Sequence, residues 1–440
     1  MPSRFTRRQL LGGIAVGGAA TYSGYRFLPA EFVPAPILEQ RTKRQSVPAV
    51  DISLSVAPDA LTESREHLRE VVDRAEAAWE EVDESDVEAE REEFDRSLES
   101  SVEIGRERLA ETEGADPTTE ALESVRYGVN RAAWSLAAVR AISEDYDPED
   151  ARERSNALST DVNDFANAVV YGTVDPRRGL AYLYRAERAV FFARMKADNV
   201  PAKESGEEFD HRTVVEAIRS EIEARRWLRD AQAIYDFHRS HVADADGSAD
   251  LEAHLDRTWQ DFAERIDGHL PDRETAIERY FTGDDGPRER ATNELFNNGY
   301  SAADDAPPPS FGSREGLLAY VAVEHAKALQ HARGFTAAIE RLDSAFADGE
   351  VGMTLAARAK REAASRLRDL LADSDDPITR ELAARPREEI TIGDWPLGAN
   401  PTFESEYPYA EASATYLLAA ENLRHTPEVR RALLPDEIEG

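Results

Sequence analysis

The chain contains no cysteine, and this absence removes several classes of chemistry at once. Without cysteine there is no disulfide framework, thiolate zinc site, iron–sulfur cluster, cysteine nucleophile or lipid-modified cysteine anchor. Other catalytic patterns are missing as well: the sequence has no GxSxG nucleophile elbow, no Walker A or GxGxxG phosphate loop and no HExxH zinc motif. The sequence thus offers no standard catalytic signature, and it leaves open whether the protein is an enzyme.

Lysine is the second scarce residue type. Of the 53 basic residues only 5 are lysine, and the 87 acidic residues give the 440-residue chain a net charge of −34. The first 50 residues carry +5, so the acidic excess extends along all of the rest. This composition resembles that of proteins from salt-loving archaea, in which carboxylates hold water at the surface. Because phosphate recognition requires a basic face, we do not expect nucleic acid as a partner.

Long apolar runs are absent except at the amino terminus. There Arg7 and Arg8 precede a charge-free segment, Leu10 to Ala20, that is rich in glycine and alanine. The sequence Thr6-Arg7-Arg8-Gln9-Leu10-Leu11 resembles the twin-arginine export signal. This resemblance implies export of the folded protein by the twin-arginine translocase, and it implies no cofactor. The expected location is therefore extracytoplasmic.

The fate of the export segment has two alternatives. Gly18-Ala19-Ala20 provides the small residues that a signal peptidase prefers, and cleavage there would release the protein. Without cleavage, Leu10 to Tyr25 would form a 16-residue anchor, somewhat shorter than the roughly 20 residues that span a bilayer. We favour membrane attachment. The predicted organisation is a signal or anchor (1–28), an extended, proline-rich basic spacer (29–50), a helical domain (51–300) and a second helical region (313–440).

The body of the chain has the periodicity of helices. From about residue 57 onward, apolar residues recur at helical spacing, and Asp-Pro pairs mark expected helix starts at 116–117, 147–148, 175–176 and 376–377. The predicted fold is all-α, an antiparallel helical bundle or stacked helical hairpins with at most one short two-stranded β element. Alternation in 51–56 and 389–392 predicts two strands that pair with each other. The proline-rich stretch 297–310 predicts a linker.

Two histidines suggest a metal site. His238 and His241 lie three residues apart near a helix end, and Asp244 follows them. Imidazoles at this spacing share a helix face, and a carboxylate could complete a zinc or iron shell. His238, His241 and Asp244 are therefore the candidate metal ligands. In the alternative interpretation the histidines only favour the dipole at the carboxyl end of the helix, and no metal is bound.

The segment 393–409 lacks helical period and contains three prolines, two glycines and the aromatic residues Trp395, Phe403, Tyr407 and Tyr409. Such a loop either covers the core or forms the rim of a binding site, because loop aromatics make good contact surfaces. These four aromatics are the candidate binding residues.

Two ionisable residues fall on apolar stripes. His325 and Glu187 would each need a partner or an altered pKa if buried. For Glu187 the sequence suggests Arg194, which lies two turns further along the same helix face.

These patterns favour an exported, salt-adapted helical binding or scaffolding protein at the outer face of the membrane. It would be non-catalytic and would bind an unidentified partner protein. The alternative is an extracytoplasmic metal-binding protein or metal-dependent hydrolase that uses His238 and His241.

Overall fold

A computed structural model describes residues 33–80, 91–143, 148–199, 211–243, 249–307, 316–349, 352–398 and 407–434. The predicted all-α fold is confirmed, because almost every element in these ranges is a helix. In chain order the elements are α1 (Ala35–Lys43), α2 (Pro58–Glu80), α3 (Arg91–Glu111), α4 (Thr119–Ser143), α5 (Pro148–Asn167), β1 (Gly172–Thr173), α6 (Pro176–Asp198), α7 (His211–His241), β2 (Ala249–Asp250), α8 (Glu252–His269), α9 (Arg273–Tyr280), α10 (Pro287–Leu295), a π-helical segment (Phe296–Tyr300), α11 (Ser301–Asp304), α12 (Leu318–Ala347), α13 (Met353–Ala372), α14 (Pro377–Ile392) and α15 (Pro408–Leu433).

Three helices begin at predicted Asp-Pro pairs, with Pro148, Pro176 and Pro377 as their first residues. The Asp175 side chain accepts hydrogen bonds from the backbone N–H groups at the start of α6, and Asp376 accepts one from Ile378 at the start of α14. Both satisfy amide groups that a helix leaves without an internal partner. At Asp116-Pro117 the helix begins two residues later, with Thr119, because the carbonyl of Pro117 accepts a hydrogen bond from Val56 instead.

The predicted pairing of 51–56 with 389–392 is wrong. Residues 389–392 form the last turn of α14, since the helical period that buries Leu382 continues to Ile390 and outweighs four residues of alternation. Residues 51–56 are extended but lie beside 117–119, where Ser55 and Thr118 form an isolated antiparallel bridge. The two-stranded sheet of the described residues consists of β1 and β2, with Gly172 opposite Asp250.

Two large apolar cores lie along the molecule, and α12 and α15 contribute to both. The first core is built mainly from α2, α4, α6, α7 and α8, together with the amino-terminal half of α12. The second is built from α1, the helices around 273–304, the carboxyl-terminal half of α12 and helices α13 to α15. The two cores are therefore joined by helices that run through both of them.

Residues 296–304, part of the predicted linker, are helical. Phe296 and Tyr300 are buried in the second core, and their rings stack with centroids 4.4 Å apart. Between them Gly299 lies so close to Phe335 and Leu418 that an added Cβ would meet both at 3.0–3.1 Å. A linker is excluded here because these side chains supply core contacts.

The extended spacer predicted for 29–50 contains a helix. Residues 35–43 form α1, which begins with Pro36 in its first turn, a position where proline needs no N–H partner. Val33 and Leu38 are buried in the second core, and α1 packs against α13. None of the helices in the described ranges has both the length and the hydropathy required to cross a membrane.

Candidate functional site

His238 is completely buried, with 0% of its surface exposed. Its ring lies among Tyr182 and Tyr235, at centroid distances of 6.3 and 5.9 Å, and neither ring nitrogen has a hydrogen-bond partner among the described residues. Burial lowers the pKa of His238 to about 4. The ring is therefore neutral at ordinary pH and packs as an apolar group.

His241 is exposed instead, and its ring stacks on Phe237 at 4.1 Å. Its Nδ1 lies 3.2 Å from the carbonyl oxygen of that same residue. Asp244, the third predicted ligand, lies outside the described residues. Within the described ranges no group of three or more histidine and carboxylate side chains is arranged to hold a metal ion. The metal prediction therefore has no supporting geometry in this part of the chain.

The aromatic residues of 393–409 lie in different environments. Trp395 follows α14 and is 53% exposed, whereas Tyr407 and Tyr409 pack against the second core. The Tyr409 hydroxyl donates to Glu39 of α1 at 3.1 Å. Phe403 lies outside the described residues. The two tyrosines thus act as a cover for the core, and Trp395 is the exposed aromatic of the segment.

Glu187 is buried in α6, and its partners come from other elements. The Tyr171 hydroxyl donates to Oε1 at 2.5 Å, and the backbone N–H of Tyr320 donates to Oε2 at 2.7 Å. Because Tyr320 lies in the first turn of α12, Glu187 caps that helix from outside. Complete burial raises the pKa of Glu187 to about 8 despite these hydrogen bonds. The predicted partner Arg194 instead donates to Asn163 at 2.9 Å.

His325 is satisfied within its own helix. Its Nδ1 lies 2.8 Å from the carbonyl oxygen of Val321, and its ring packs 5.7 Å from that of Trp259. Burial lowers the pKa of His325, so the neutral ring is favoured.

Sequence reasoning missed a buried ionic layer between α6, α12 and α14. The ammonium of Lys327 lies 2.8 Å from Glu381, 3.1 Å from Glu324 and 2.6 Å from the hydroxyl of Tyr184. Arg185 binds Glu381 from the other side at 2.5 Å. Burial opposes ionisation, but the attraction of these cations outweighs it and holds the pKa of Glu381 at about 2. The charged groups of this layer are paired with one another, and the layer joins three helices.

A second polar layer lies one helical turn further along α12. His331 places Nε2 3.0 Å from the buried carboxylate of Glu389 and Nδ1 2.8 Å from the carbonyl oxygen of Lys327. The Asn422 amide also donates to Glu389, at 3.0 Å. Both partners of the imidazole nitrogens are oxygen acceptors, and the ring joins α12 to α14. The sequence signal is the helical spacing of Glu324, Lys327 and His331 on an otherwise apolar stripe.

An open cleft of about 560 Å³ lies where α13 ends, α14 begins and the second half of α15 passes. This arginine cleft is lined by Arg177, Arg366, Asp369, Leu370, Asp373, Ser374, Asp376, Thr379, Leu423, Arg424, Pro427, Arg430 and Arg431. Its volume is within the range of small-molecule sites, about 300–1,000 Å³. Five arginines and three aspartates reverse the acidic balance of the whole chain.

The arginines of the cleft differ in their ion-pair partners. Arg430 donates from Nε to Asp376 at 2.6 Å, which neutralises the carboxylate that caps α14. Arg366 and Arg424 each bind a glutamate one turn earlier on their own helix, Glu362 at 2.7 Å and Glu421 at 3.2 Å.

Arg431 is exposed and has no ion-pair partner within the described ranges. Its guanidinium keeps its hydrogen-bonding capacity for a ligand.

The floor of the cleft is apolar. Leu370, Leu423 and Pro427 line it, and the proline lies inside α15. Proline has no backbone N–H, so the carbonyl of Leu423 lacks its usual helical donor at position 427. The cleft therefore combines guanidinium groups and apolar surface. This arrangement can bind an anion through paired hydrogen bonds and can hold an apolar group beside it.

The cleft is assembled from residues far apart in sequence, from 177 to 431. A local signal does exist on α15, where Arg424, Pro427 and Arg431 recur at the spacing of one helix face. The matching signal on α13 is Arg366, Leu370 and Asp373. Sequence alone does not reveal that these two faces adjoin.

Comparison with known proteins divides the chain into two parts. Residues 59–244 match a family model described as Domain of unknown function (DUF8262), and residues 248–434 match another described as Domain of unknown function (DUF8264). The junction, between 244 and 248, lies just before β2, and the β1–β2 pair joins the two parts. Neither a curated protein nor a solved structure matches the chain. The chain thus resembles two families in succession, and each match covers a little over two fifths of its length.

Proposed function

We propose that this protein is an exported, salt-adapted, non-catalytic binding protein at the outer face of the membrane, and that its ligand is an anionic small molecule held in the arginine cleft. The observation that carries the proposal is the local reversal of charge. A chain with net charge −34 gathers five arginines and three aspartates around one concave surface.

High salt explains why such a site would use arginine. The Debye length is about 3 Å at 1 M salt, so long-range attraction of a ligand is lost. Binding then depends on groups in direct contact. Guanidinium forms two parallel hydrogen bonds to a phosphate or carboxylate, whereas ammonium acts as a compact point charge. The arginine cleft meets this requirement.

Location is proposed from the sequence. Arg7 and Arg8 before the charge-free segment support export by the twin-arginine translocase, and that segment, if retained, supports membrane attachment. The acidic, lysine-poor composition supports a salt-rich medium. We do not retain the metal-dependent hydrolase as a second proposal, because His238 is buried whereas His241 is exposed.

Calorimetric titration tests the proposed ligand class. Pyrophosphate and citrate would each be added to the full chain in buffer with about 1 M KCl, where nonspecific attraction is screened. We expect saturable binding of at least one of them. Arg431→Ala should weaken it by about tenfold or more, because a hydrogen bond to a charged group contributes about 1.5–3 kcal/mol.

The matched control is Arg368→Ala. Arg368 is an exposed arginine of α13 that does not line the cleft. Its removal should leave the binding constant unchanged. Equal weakening in both variants, or no binding of either anion by the folded wild type, would exclude the arginine cleft as an anion site.

A further inference from the structure

The position of α1 limits how far the body can lie from a membrane anchor. Val33 and Leu38 are buried in the second core, so residue 33 already belongs to the globular fold. The apolar amino-terminal segment ends at Leu28, five residues earlier. Five residues reach at most about 18 Å when fully extended. If the anchor is retained, this end of the body must therefore lie close to the bilayer.

The same end is basic. Residues 33–50 contain Arg41, Lys43 and Arg44 against Glu39, which gives a net charge of +2. Helix α13, on which α1 packs, also carries +2 in residues 352–363. We call this surface, formed by 33–50 and 352–363, the basic face. It contrasts with the net charge of −34 of the chain.

Four basic side chains of the basic face are exposed to solvent. Lys43, Arg44, Arg358 and Arg361 are all exposed. The carboxylate of Glu39, in contrast, is bound by Tyr409 at 3.1 Å. The accessible charge on this surface is therefore mainly positive.

Helix α15 connects the basic face to the arginine cleft. Near its start Tyr409 contacts α1, and near its end Arg430 lines the cleft. These residues are 21 positions apart, which corresponds to about 30 Å along a helix at 1.5 Å per residue. The α1 contact and the Arg430 side of the cleft thus lie near opposite ends of α15, whereas along α13 the basic face ends at residue 363 and the cleft lining begins at Arg366.

We propose that the basic face rests on the anionic headgroups of the membrane and that the arginine cleft faces away from them, with Arg430 about 30 Å along α15 from the Tyr409 contact with α1. Because salt screens the attraction beyond a Debye length, the basic side chains would act by direct contact with the anionic headgroups. The inference rests on the proposed membrane attachment, and it adds the orientation of the body. The ligand would then be bound away from the lipid surface.

The orientation can be tested with a fluorophore attached to a single introduced cysteine, because the chain has no native cysteine. Ala35→Cys places a fluorophore on α1, and Asp373→Cys places one at the cleft; both positions are exposed. The full chain would be reconstituted into phosphatidylglycerol vesicles whose headgroups carry a nitroxide quencher. We expect loss of fluorescence for the label at residue 35 and unchanged fluorescence for the label at residue 373.

Charge reversal tests the lipid contact itself. Lys43→Glu combined with Arg361→Glu should restore much of the fluorescence at residue 35, whereas Arg368→Glu, at the other end of α13, should not.

Flotation of the same vesicles separates the two levels of the proposal. Protein that fails to float would refute membrane attachment. Protein that floats with its label quenched at 373, or at neither position, would refute the orientation alone, as would quenching at 35 that the double variant leaves intact.

Discussion

The Glu187 cap of α12 leads to a specific prediction about pH. The carboxylate is fully buried and accepts hydrogen bonds from Tyr171 and from the backbone of Tyr320. Burial raises its pKa from 4.5 to about 8. Between these two values the folded protein retains a proton that the unfolded chain has released. The free energy of unfolding contributed by Glu187 therefore decreases as the pH rises through this window.

The size of the effect follows from the pKa shift. One pKa unit corresponds to about 1.4 kcal/mol, so the shift of Glu187 corresponds to about 5 kcal/mol across the whole window. Glu187→Gln has a similar shape but does not titrate. We expect the stability of the wild type relative to this variant to fall by about this amount from pH 4.5 to 8 and then to stay constant.

Urea unfolding at fixed high salt, measured in parallel for the two proteins at each pH, gives this difference directly. Other titrating groups cancel because both proteins share them. A difference that does not change with pH would refute the assigned burial cost. A difference that rises with pH would show that the hydrogen bonds to the ionised carboxylate dominate instead.

Further predictions concern the two polar layers and the close contact between α12 and α15. Lys327→Met should destabilise the fold by about 3–5 kcal/mol in urea unfolding, since it leaves the carboxylates of Glu324 and Glu381 short of a partner; a variant as stable as the wild type would show that Arg185 suffices. Glu381→Gln should remove stability that the wild type has above pH 4.5 and loses toward pH 2, because the folded pKa is lowered to about 2, and an unchanged acid unfolding curve would contradict this. Gly334→Ala should cost about 3 kcal/mol or more, because an added Cβ would lie 1.8 Å from Asn422 Oδ1, whereas Gly268→Ala, with open space around it, should be neutral or slightly stabilising; equal thermal midpoints would exclude tight packing at Gly334.

The fold class was predictable because helical period and capping are local properties. The stripes around Leu68, Val129 and Leu183 are buried as their spacing indicates. The strand predicted at 389–392 is wrong because alternation over four residues is a weak signal. The helix that contains these residues is set by its cap, Asp376, much earlier in the chain. The linker at 296–304 failed for a related reason: Asn297, Asn298 and Gly299 are typical of turns, but the flanking aromatics are core residues.

The candidate site depended on contacts that no local pattern contains. The apolar stripe indicates that Glu187 is buried, but it does not indicate the partners. One lies 16 residues before Glu187 in the chain and the other 133 residues after it. Because lysine is so scarce, the positions that have one are themselves candidates for a specific contact. Lys327 and Lys360 are retained in buried pairs, where Lys360 lies 2.6 Å from Asp394. In the ionic layer the ammonium of Lys327 donates to three oxygens from two other helices and its own.

The central claim is that the arginine cleft binds an anion, and locating a tetrahedral oxyanion in a crystal tests it most directly. Crystals of the full chain would be soaked in selenate, and the selenium would be found by its anomalous scattering. The account predicts a peak within the cleft, at hydrogen-bond distance from the guanidinium of Arg431 or Arg424, and no such peak in Arg431→Ala crystals. A selenate bound only outside the cleft, or an unchanged peak in that variant, would contradict it.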